Sequence, residues 1–289
     1  MINKKYNIGE MTITKIEEKF LTPFPTETLF PDLNMYEFDK NKEISLFYSD
    51  ISEDKIILSV HTWLVEFDNK IILIDTGIGN EKERKFSALF HNQNTPFLQK
   101  LESTGISPDD VNYVLMTHLH ADHIGWNTQL IDGCWVPTFP NAKYVFPKAE
   151  MDFYSTPESE NRRVIFEDSI IPIIENKMSV QIPAQGGEFL KGVIFHSTPG
   201  HSVGHMSISI MSEGEEAFFT GDTMHHPIQV ALPRLNSVFC RDSEQSIVSR
   251  RWMLDYALKQ AATVFTSHFG NTSVGIITKK DDAFEWKFI

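Results

Sequence analysis

Four potential metal ligands crowd into one short stretch of the sequence, MTHLHADHIGWN: His118, His120, Asp122 and His123. Imidazole nitrogens and carboxylate oxygens bind zinc and other divalent transition metals. Side chains two residues apart in an extended segment face the same side, so His118, His120 and Asp122 would line up. His123 can join them only if the backbone bends, and we expect Gly125 to ease a tight turn nearby.

The spacing predicts that this stretch serves two ions, with His118 and His120 on one and Asp122 and His123 on the other. An ion held by histidine and carboxylate needs about four or more ligands, counting water, so the stretch alone is too small. Further candidates follow three later apolar β runs, and each side chain would emerge at the same sheet edge. These candidates are His201 in STPGHSVGH, Asp222 in FFTGDT and His268 in VFTSHF. Asp222 is the candidate bridge, because the other six ligands divide three and three.

The elements that must position these residues alternate between strand and helix patterns. MTITKIEEKF predicts an opening strand, and KIILSVHTWLVEF and KIILIDTGIG predict a hairpin around Asp68 and Asn69. NTPFLQKLESTGIS predicts a helix with Thr95 as its cap, Pro96 at its first position and Gly105 at its end. VNYVLM then predicts a short buried strand, so the histidine cluster lies just past a strand's carboxyl end. Open α/β sheets tend to place their sites there.

The second half repeats the alternation. AKYVFP predicts a strand, and helical segments follow over 148–177. Further strands are predicted in VIFHSTPG, MSISIMS, EAFFTGD and TVFTSH, with FEWKFI as a possible edge strand. A helix over 243–262 begins with a capping-box-like pair, Asp242 and Gln245. No low-complexity segment or Gly/Ser linker interrupts the chain, so the expectation is one α/β domain over 1–289.

Residues 21–50 combine apolar side chains with Pro23, Pro25 and Pro31, which discourage both helix and central strand. We expect an ordered loop that packs on the body, covers a pocket, or meets a second subunit in a homodimer.

Composition excludes several classes of partner. The 289 residues carry a formal net charge of −13, and the sequence contains no cluster of lysine and arginine that could bind a nucleic-acid backbone. We therefore expect no nucleic-acid partner. No apolar run approaches the roughly 20 residues of a membrane span, and the first residues do not read as a signal peptide, so a cytoplasmic location is expected. The two cysteines, Cys134 and Cys240, cannot form a disulfide framework, and we expect both to be reduced packing residues.

Taken together, these motifs resemble the metallo-β-lactamase-fold hydrolases. The matching pieces are LIDTG at 73–77, HLHADH at 118–123, TPGHSVGH at 198–205, TGDT at 220–223 and TSHF at 266–269. The resemblance implies a four-layer αββα sandwich with a dinuclear site, usually of zinc, although iron, manganese or cobalt suit the same ligands. It also implies a support role for Asp75, which would hydrogen-bond a ligand. Its ligand division places His118, His120 and His201 on one ion, Asp122, His123 and His268 on the other, and Asp222 between them.

This resemblance carries a mechanism with it. Two ions that share a hydroxide supply a nucleophile at neutral pH, and they polarise a carbonyl or phosphoryl oxygen of the substrate. Asp122 would take the proton of the hydroxide and pass it to the leaving group. A small-molecule lactone or another carboxylic ester is the expected substrate.

Within the family, two segments are similar to the lactonase and organophosphate-hydrolase branch. They are SVHTWLVE before LIDTG, and GDTMHHPIQV at the bridging aspartate. Acyl-homoserine lactonases carry a tyrosine three residues after the bridging aspartate, and this chain has His225 there. His225 would donate to an oxyanion, or else would merely form a turn with His226 before Pro227. Histidine in place of tyrosine at position 225 makes a phosphotriester the alternative substrate. Thioester or β-lactam hydrolysis and a non-catalytic metal-containing binding protein rank lower.

Other side chains keep two interpretations. Six apolar residues would either form a pocket for an acyl or aromatic group or simply pack: Trp126, Trp135, Phe139, Met224, Leu232 and Phe239. Among the other histidines, His61 and His196 lie in apolar β runs and are expected in the core or just behind the ligands. His205 is expected to pack or hydrogen-bond near the site.

Overall fold

The computed structural model describes residues 4–21, 24–34, 49–50 and 55–289, with 49–50 described for the backbone alone. The chain divides into two compact units. Unit 1 comprises Met1–Lys19 and Val60–Ala184, and unit 2 comprises Phe20–Ser59 and Gln185–Ile289.

The strands in the described part of the chain are β1 (Lys5–Ile8), β2 (Met11–Phe20), β3 (Phe24–Pro25), β4 (Ser49–Asp50), β5 (Lys55–Ile56), β6 (Ser59–Phe67), β7 (Lys70–Ile74), β8 (Tyr113–Leu115), β9 (Thr128–Ile131), β10 (Cys134–Pro137), β11 (Lys143–Pro147), β12 (Ser179–Ile182), β13 (Gly186–Leu190), β14 (Val193–Ser197), β15 (Met206–Ser212), β16 (Glu215–Phe219), β17 (Thr263–Phe265), β18 (Val274–Lys280) and β19 (Ala283–Phe288).

The α-helices in the same residues are α1 (Thr26–Leu29), α2 (Phe97–Glu102), α3 (Lys148–Phe153), α4 (Arg163–Ser169), α5 (Ile171–Glu175), α6 (Ile228–Ala231) and α7 (Ser243–Gln260). Short 3₁₀ turns occupy Pro108–Asp110, Gly125–Asn127, Pro157–Arg162 and Gly221–Thr223.

The main sheet of unit 1, counted over the described residues, has seven strands in the order β1-β2-β6-β7-β8-β11-β12. The predicted hairpin of β6 and β7 is confirmed: Asp68 and Asn69 both have positive φ, 48° and 55°, as a two-residue turn between twisted strands requires. Strands β7, β8, β11 and β12 are parallel neighbours. Their carboxyl ends therefore share one sheet edge, and Asp75 and the histidine cluster follow directly from it.

In unit 2 the large sheet runs β13-β14-β15-β16-β17-β18-β19 within the described residues. Strand β15 is antiparallel to both β14 and β16, and β16 is parallel to β17. Consequently β14, β16 and β17 end at the same edge, and the segments that follow them carry His201, Asp222 and His268. The predicted edge strand near the carboxyl end is β19, which pairs only with β18 in this sheet order.

The long helix α7 begins where its sequence predicts. The Asp242 side chain accepts a hydrogen bond from the backbone N–H of Gln245 at 2.9 Å, and the helix ends at Ala261, which adopts the left-handed conformation with φ of 51°.

The prediction for the start of α2 is wrong. Thr95 does not cap the helix, because Pro96 occupies the cap position and Phe97 is the first helical residue. The Thr95 hydroxyl instead donates to Glu18 at 2.9 Å. Burial raises the pKa of Glu18. A buried carboxyl group without hydrogen-bond donors is costly, so the Thr95 hydroxyl bonds to it instead of capping the helix. Gly105 does follow the helix end, with φ of 92°.

The segment 21–50 is only partly described, since residues 22–23 and 35–48 lie outside the described residues. Its described part contains the short elements β3 and α1, so the expectation of a loop without helix or strand is wrong there. Leu29 and Phe30 are fully buried, which agrees with packing on the body. The pocket and homodimer roles stay predictions.

Two findings bear on the remaining sequence expectations. Both cysteines are free, but Cys134 is exposed at the start of β10, so its predicted packing role is wrong. In the part of the chain that is described, no helix combines the length and apolar character that a membrane crossing demands.

A buried ionic group ties the long connection after β7 to the rest of unit 1. Arg84 and Asp168 form a two-pronged ion pair with N–O distances of 2.6 and 2.8 Å. Lys82 lies 3.7 Å from the same carboxylate and 3.5 Å above the ring of Trp135. Burial lowers the pKa of Lys82 to about 7, and the Asp168 charge opposes that shift. One carboxylate thus compensates two buried basic groups.

We predict that Asp168→Asn lowers the free energy of unfolding by about 3–5 kcal/mol, because it leaves buried basic groups without a counter-charge. Urea unfolding at pH 7 measures the change. Asp152→Asn is the matched control, since Asp152 pairs with Lys148 on the exposed surface, where such a pair contributes about 0–1 kcal/mol. Equal losses in the two variants would contradict the assignment.

Candidate metal centre

The ligand cluster of unit 1 bends as its sequence requires. After β8 the chain bends at Thr117 and carries His118 and His120 in an irregular segment, and a turn follows in which the His123 N–H donates to the His120 carbonyl at 3.1 Å. The turn brings the three rings together: His118 lies 4.5 Å from His120 and 4.1 Å from His123 between ring centroids. Asp122, 14% exposed, has a carboxylate oxygen 4.0 Å from His123 Nε2.

Gly125 matters here for a reason other than the predicted one. It does not adopt a positive φ, and it lies beyond the turn. A Cβ at this position would come 1.8 Å from the carbonyl oxygen of Ile78, and the Gly125 N–H donates to the Gly77 carbonyl at 2.7 Å. Glycine is therefore required so that two backbones can approach behind the cluster.

Asp75 fixes the orientation of two of these rings. Its carboxylate accepts bonds from the backbone N–H and the hydroxyl of Thr117 and from His123 Nδ1, each at 2.8 Å. Since the Thr117 hydroxyl donates to Asp75, it accepts from His118 Nδ1, which is 3.0 Å away. Both rings therefore carry their proton on Nδ1 and present Nε2, which is the usual support for a metal-binding histidine.

The ligand cluster of unit 2 converges on one carboxylate oxygen. Asp222 Oδ2 lies 3.0 Å from His268 Nε2, 3.3 Å from His201 Nε2 and 3.4 Å from His225 Nε2. All four side chains are buried. His201, Asp222 and His225 together form a group whose ligand atoms are close enough to hold one ion.

The state of His268 follows from its second contact. His268 Nδ1 donates to the carbonyl oxygen of Ser59 at 2.9 Å. A carbonyl only accepts, so in the neutral ring Nε2 carries a lone pair, and that lone pair faces the carboxylate oxygen of Asp222. At 3.0 Å the two atoms are held together by a shared cation, which is either the proton of an imidazolium ring or a metal ion. The arrangement fits a divalent metal.

Two neighbouring histidines are not ligands. His205 Nε2 accepts the backbone N–H of Asp222 at 2.9 Å, and its Nδ1 contacts the Thr198 hydroxyl at 2.9 Å, so His205 orients the aspartate. His226 Nδ1 accepts from the N–H of Ile228 at 3.2 Å, and burial lowers the pKa of His226 to about 3. His205 thus hydrogen-bonds near the site, as predicted.

Of the more distant pair, His61 is buried and packs edge-on against Trp63 with ring centroids 4.9 Å apart. His196 is bonded to Ser209 at 2.8 Å, and burial lowers its pKa to about 4. His61 therefore packs in the core as expected, and His196 is a half-buried packing group.

Both His225 and His226 lie in a bend before Pro227, and both backbone N–H groups donate to the Gln229 side chain, so the turn interpretation holds for the pair. The His225 side chain also lies in the unit 2 cluster, and its donation to an oxyanion stays a prediction. The His225 backbone N–H donates to the Gln229 side chain at 2.6 Å, and its Nδ1 is 3.2 Å from the Ser237 hydroxyl. Burial lowers the pKa of His225, and the neighbouring Asp222 acts in the opposite direction.

For most of the six apolar residues, the structure agrees with the packing interpretation. Phe139 and Met224 are fully buried core residues, and Trp126 stacks on Phe97 at 5.2 Å. The described cavity that Trp126 lines, about 370 Å³ in unit 1, has a mixed border of amide side chains such as Asn80, other polar groups and apolar groups. Trp135 is engaged by the buried lysine described above, and Leu232 is half-buried.

Phe239 is the member of that set which fits a pocket. Its ring is 40% exposed, and it lies 5.6 Å from the ring of His225 and 6.0 Å from that of Phe24. It forms an apolar surface directly beside the unit 2 cluster.

Sequence reasoning missed the residues that support the ligands from a distance. Ser59 is separated from His268 by 209 positions, and no local pattern announces the contact. Thr117 and Ser237 likewise resemble ordinary loop residues. Only the position of Thr117, directly before the cluster, offered a signal.

Comparison with known proteins identifies the family of this chain. A family model described as the metallo-beta-lactamase superfamily matches residues 57–268. The chain belongs to the metallo-beta-lactamase superfamily. This confirms the family that the sequence motifs resemble. The expectation of a metal-dependent hydrolase agrees with membership of this superfamily.

An N-acyl homoserine lactonase of Bacillus cereus is 25% identical over 229 residues, which cover 73% of this chain and 81% of that protein. Among solved structures, the hydrolase AbOPH of the beta lactamase superfamily matches with a TM-score of 0.81 at 23% identity, covering 99% of this chain and 97% of its own. AidC, described as a dizinc quorum-quenching lactonase, has a TM-score of 0.79 at 23% identity, with coverages of 99% and 97%. These structural matches confirm the predicted α/β fold class with its αββα sandwich.

We predict that Asp75→Asn weakens zinc binding by about 10- to 100-fold, because the carboxylate that supports two ligand rings becomes a neutral amide. Competition with a chromophoric chelator measures the affinity. Asp68→Asn is the matched control: both aspartates have positive φ, 54° and 48°, but Asp68 lies in an exposed hairpin turn. Unchanged affinity in Asp75→Asn would refute the support role.

Proposed function

We propose that this protein is a dinuclear metal-dependent hydrolase that cleaves a lactone or another carboxylic ester. In this proposal the two clusters supply one centre. His118, His120 and His201 would hold one ion, Asp122, His123 and His268 would hold the other, and Asp222 would contribute to both. The observation that carries the proposal is the convergence of buried histidines on Asp222, where the contact of His268 with Ser59 leaves its Nε2 for a metal.

The relatives support the substrate class and the metal. The Bacillus cereus relative is named an N-acyl homoserine lactonase, and AidC is described as a dizinc lactonase in complex with a homoserine product. We therefore take zinc as the metal, with iron, manganese or cobalt as alternatives that the same donors accept.

When bound, the two ions would lower the pKa of water and polarise the carbonyl or phosphoryl oxygen of the substrate. The protein's own groups then handle protons and charge. Asp122 is the partly exposed carboxylate of the centre, so it accepts the proton of the attacking water and returns it to the leaving oxygen. His225, buried beside Asp222, donates a hydrogen bond to the substrate oxygen as that oxygen becomes negative.

Recognition of the rest of the substrate falls to Phe239 and Phe24. Their rings meet edge to face beside His225 and present apolar surface next to the reacting group. An acyl or aryl group on the substrate would contact this surface, so we expect apolar esters to be preferred over small polar ones.

Phosphotriester hydrolysis is the second candidate. It is favoured by His225, which stands where the acyl-homoserine lactonases carry a tyrosine. A non-catalytic binding protein is the remaining alternative from another class, and turnover separates it from both.

The test is a substrate panel measured with zinc-loaded and metal-depleted protein. The panel contains acyl lactones of several chain lengths, aryl esters, a phosphotriester, a thioester and a β-lactam. We expect the highest kcat/KM on a lactone or aryl ester, with loss of activity on chelation and recovery on addition of zinc. Metal-independent turnover, or no turnover on any member, would contradict the proposal.

We predict that Asp122→Asn lowers kcat by about 100-fold or more on the best substrate, because the amide cannot accept a proton. Metal content is measured in the same samples, since Asp122 is also a proposed ligand. A variant that retains both metals and nearly full kcat would remove Asp122 from proton transfer.

A further inference from the structure

His225 lies between two polar side chains of different kinds, and among the described residues its Nε2 makes no hydrogen bond. Its Nε2 faces the Asp222 carboxylate, with 3.4 Å between Nε2 and Oδ2, and an ionised carboxylate can only accept. Its Nδ1 faces the hydroxyl of Ser237 at 3.2 Å. A hydroxyl can donate as well as accept, so it allows Nδ1 to be the nitrogen without the proton.

Two of the histidines that are proposed ligands have the opposite arrangement, and a third, His118, faces the Thr117 hydroxyl, whose own proton is donated to Asp75. His268 Nδ1 meets the carbonyl of Ser59, and His123 Nδ1 meets the carboxylate of Asp75. Neither oxygen has a proton to give, so each ring carries its own proton on Nδ1 and leaves Nε2 for a metal. Within the described clusters, His225 is thus distinguished from these ligands by the chemistry of the group behind it.

We propose that Ser237 is a positioning residue that sets the tautomer of His225. The Ser237 hydroxyl donates to Nδ1, which keeps the ring proton on Nε2. There it forms a hydrogen bond to the substrate oxygen during hydrolysis. The tautomer stands on the geometry of this chain alone, whereas its use in catalysis rests on the proposed function.

The surrounding loop is held tightly enough to make this contact specific. Gln229 accepts the His225 backbone N–H at 2.6 Å and donates to the Leu235 carbonyl at 2.9 Å. The guanidinium of Arg250, fully buried, donates to the same carbonyl at 2.7 Å. These bonds fix the backbone on both sides of the pair. The hydroxyl of Ser237, itself buried, has Cys240 Sγ at 3.7 Å as its other contact, where either atom can donate.

The direct test is nitrogen NMR of the zinc-loaded protein with ¹⁵N-labelled histidine, in which the shifts of the two ring nitrogens report which one carries the proton. His225→Gln assigns the signals. We expect a proton on Nε2 in the wild type and a mixture of tautomers in Ser237→Ala. A proton on Nδ1 in the wild type would overturn the proposal and place His225 with the metal ligands instead.

Ser209→Ala is a matched control. Ser209 and His196 form another serine–histidine pair in unit 2, partly buried, at 2.8 Å. Its substitution should change the signals of His196 and leave those of His225 unaltered. A change at His225 of the same size as in Ser237→Ala would mean that the effect is a general loss of packing, and would overturn the specific role of Ser237.

Kinetics on the best ester of the panel tests the catalytic half. We expect Ser237→Ala to lower kcat by about 3- to 10-fold with little change in KM, the effect of one neutral hydrogen bond. Ser237→Thr, which keeps the hydroxyl, should restore both kcat and the wild-type tautomer. An unchanged kcat in Ser237→Ala would overturn the catalytic use. Absence of any ester turnover would instead count against the proposed function, and the NMR result would still decide the tautomer.

Discussion

A buried carboxylate surrounded by imidazoles is the constraint on which this protein's chemistry depends. Asp222 has three histidine nitrogens within 3.0–3.4 Å of one oxygen, and the backbone contact of His268 leaves a lone pair facing that oxygen. Such a group is costly to bury without a cation. Strand directions in unit 2 bring the residues to one edge, and His205 holds the aspartate from behind through its backbone N–H. The fold therefore assembles a site that a divalent metal would stabilise.

The second feature is that the group behind each histidine ring determines which of its nitrogens carries the proton. Carbonyl or carboxylate oxygens lie behind His268 and His123, a hydroxyl lies behind His225, and a backbone N–H meets His205. Each partner decides which nitrogen carries the proton, and so whether the ring can bind a metal, donate, or only orient its neighbour. Chemically identical side chains thereby acquire different roles within a few ångströms.

Much of this was predictable from the sequence, because strands, turns and caps leave local patterns. The hairpin at Asp68 and Asn69, the start of α7 and the ligands that follow strand ends all come from such patterns. The predictions that failed concern residues with long-range contacts. Thr95 bonds Glu18 instead of capping a helix, and Gly125 allows a close backbone approach instead of easing a turn. Partners far apart in the chain leave no periodic signal. Apolar side chains near the motifs also gave no hint of whether they pack or line a pocket.

The number of metal ions per chain tests the central claim most directly. Protein purified without chelator and dialysed against metal-free buffer would be analysed by elemental mass spectrometry alongside a protein determination. The account predicts two divalent ions per chain, with zinc as the main element, and loss of at least one in Asp222→Ala. A value near zero in protein that folds and remains monodisperse, or a metal content that Asp222→Ala leaves unchanged, would contradict it.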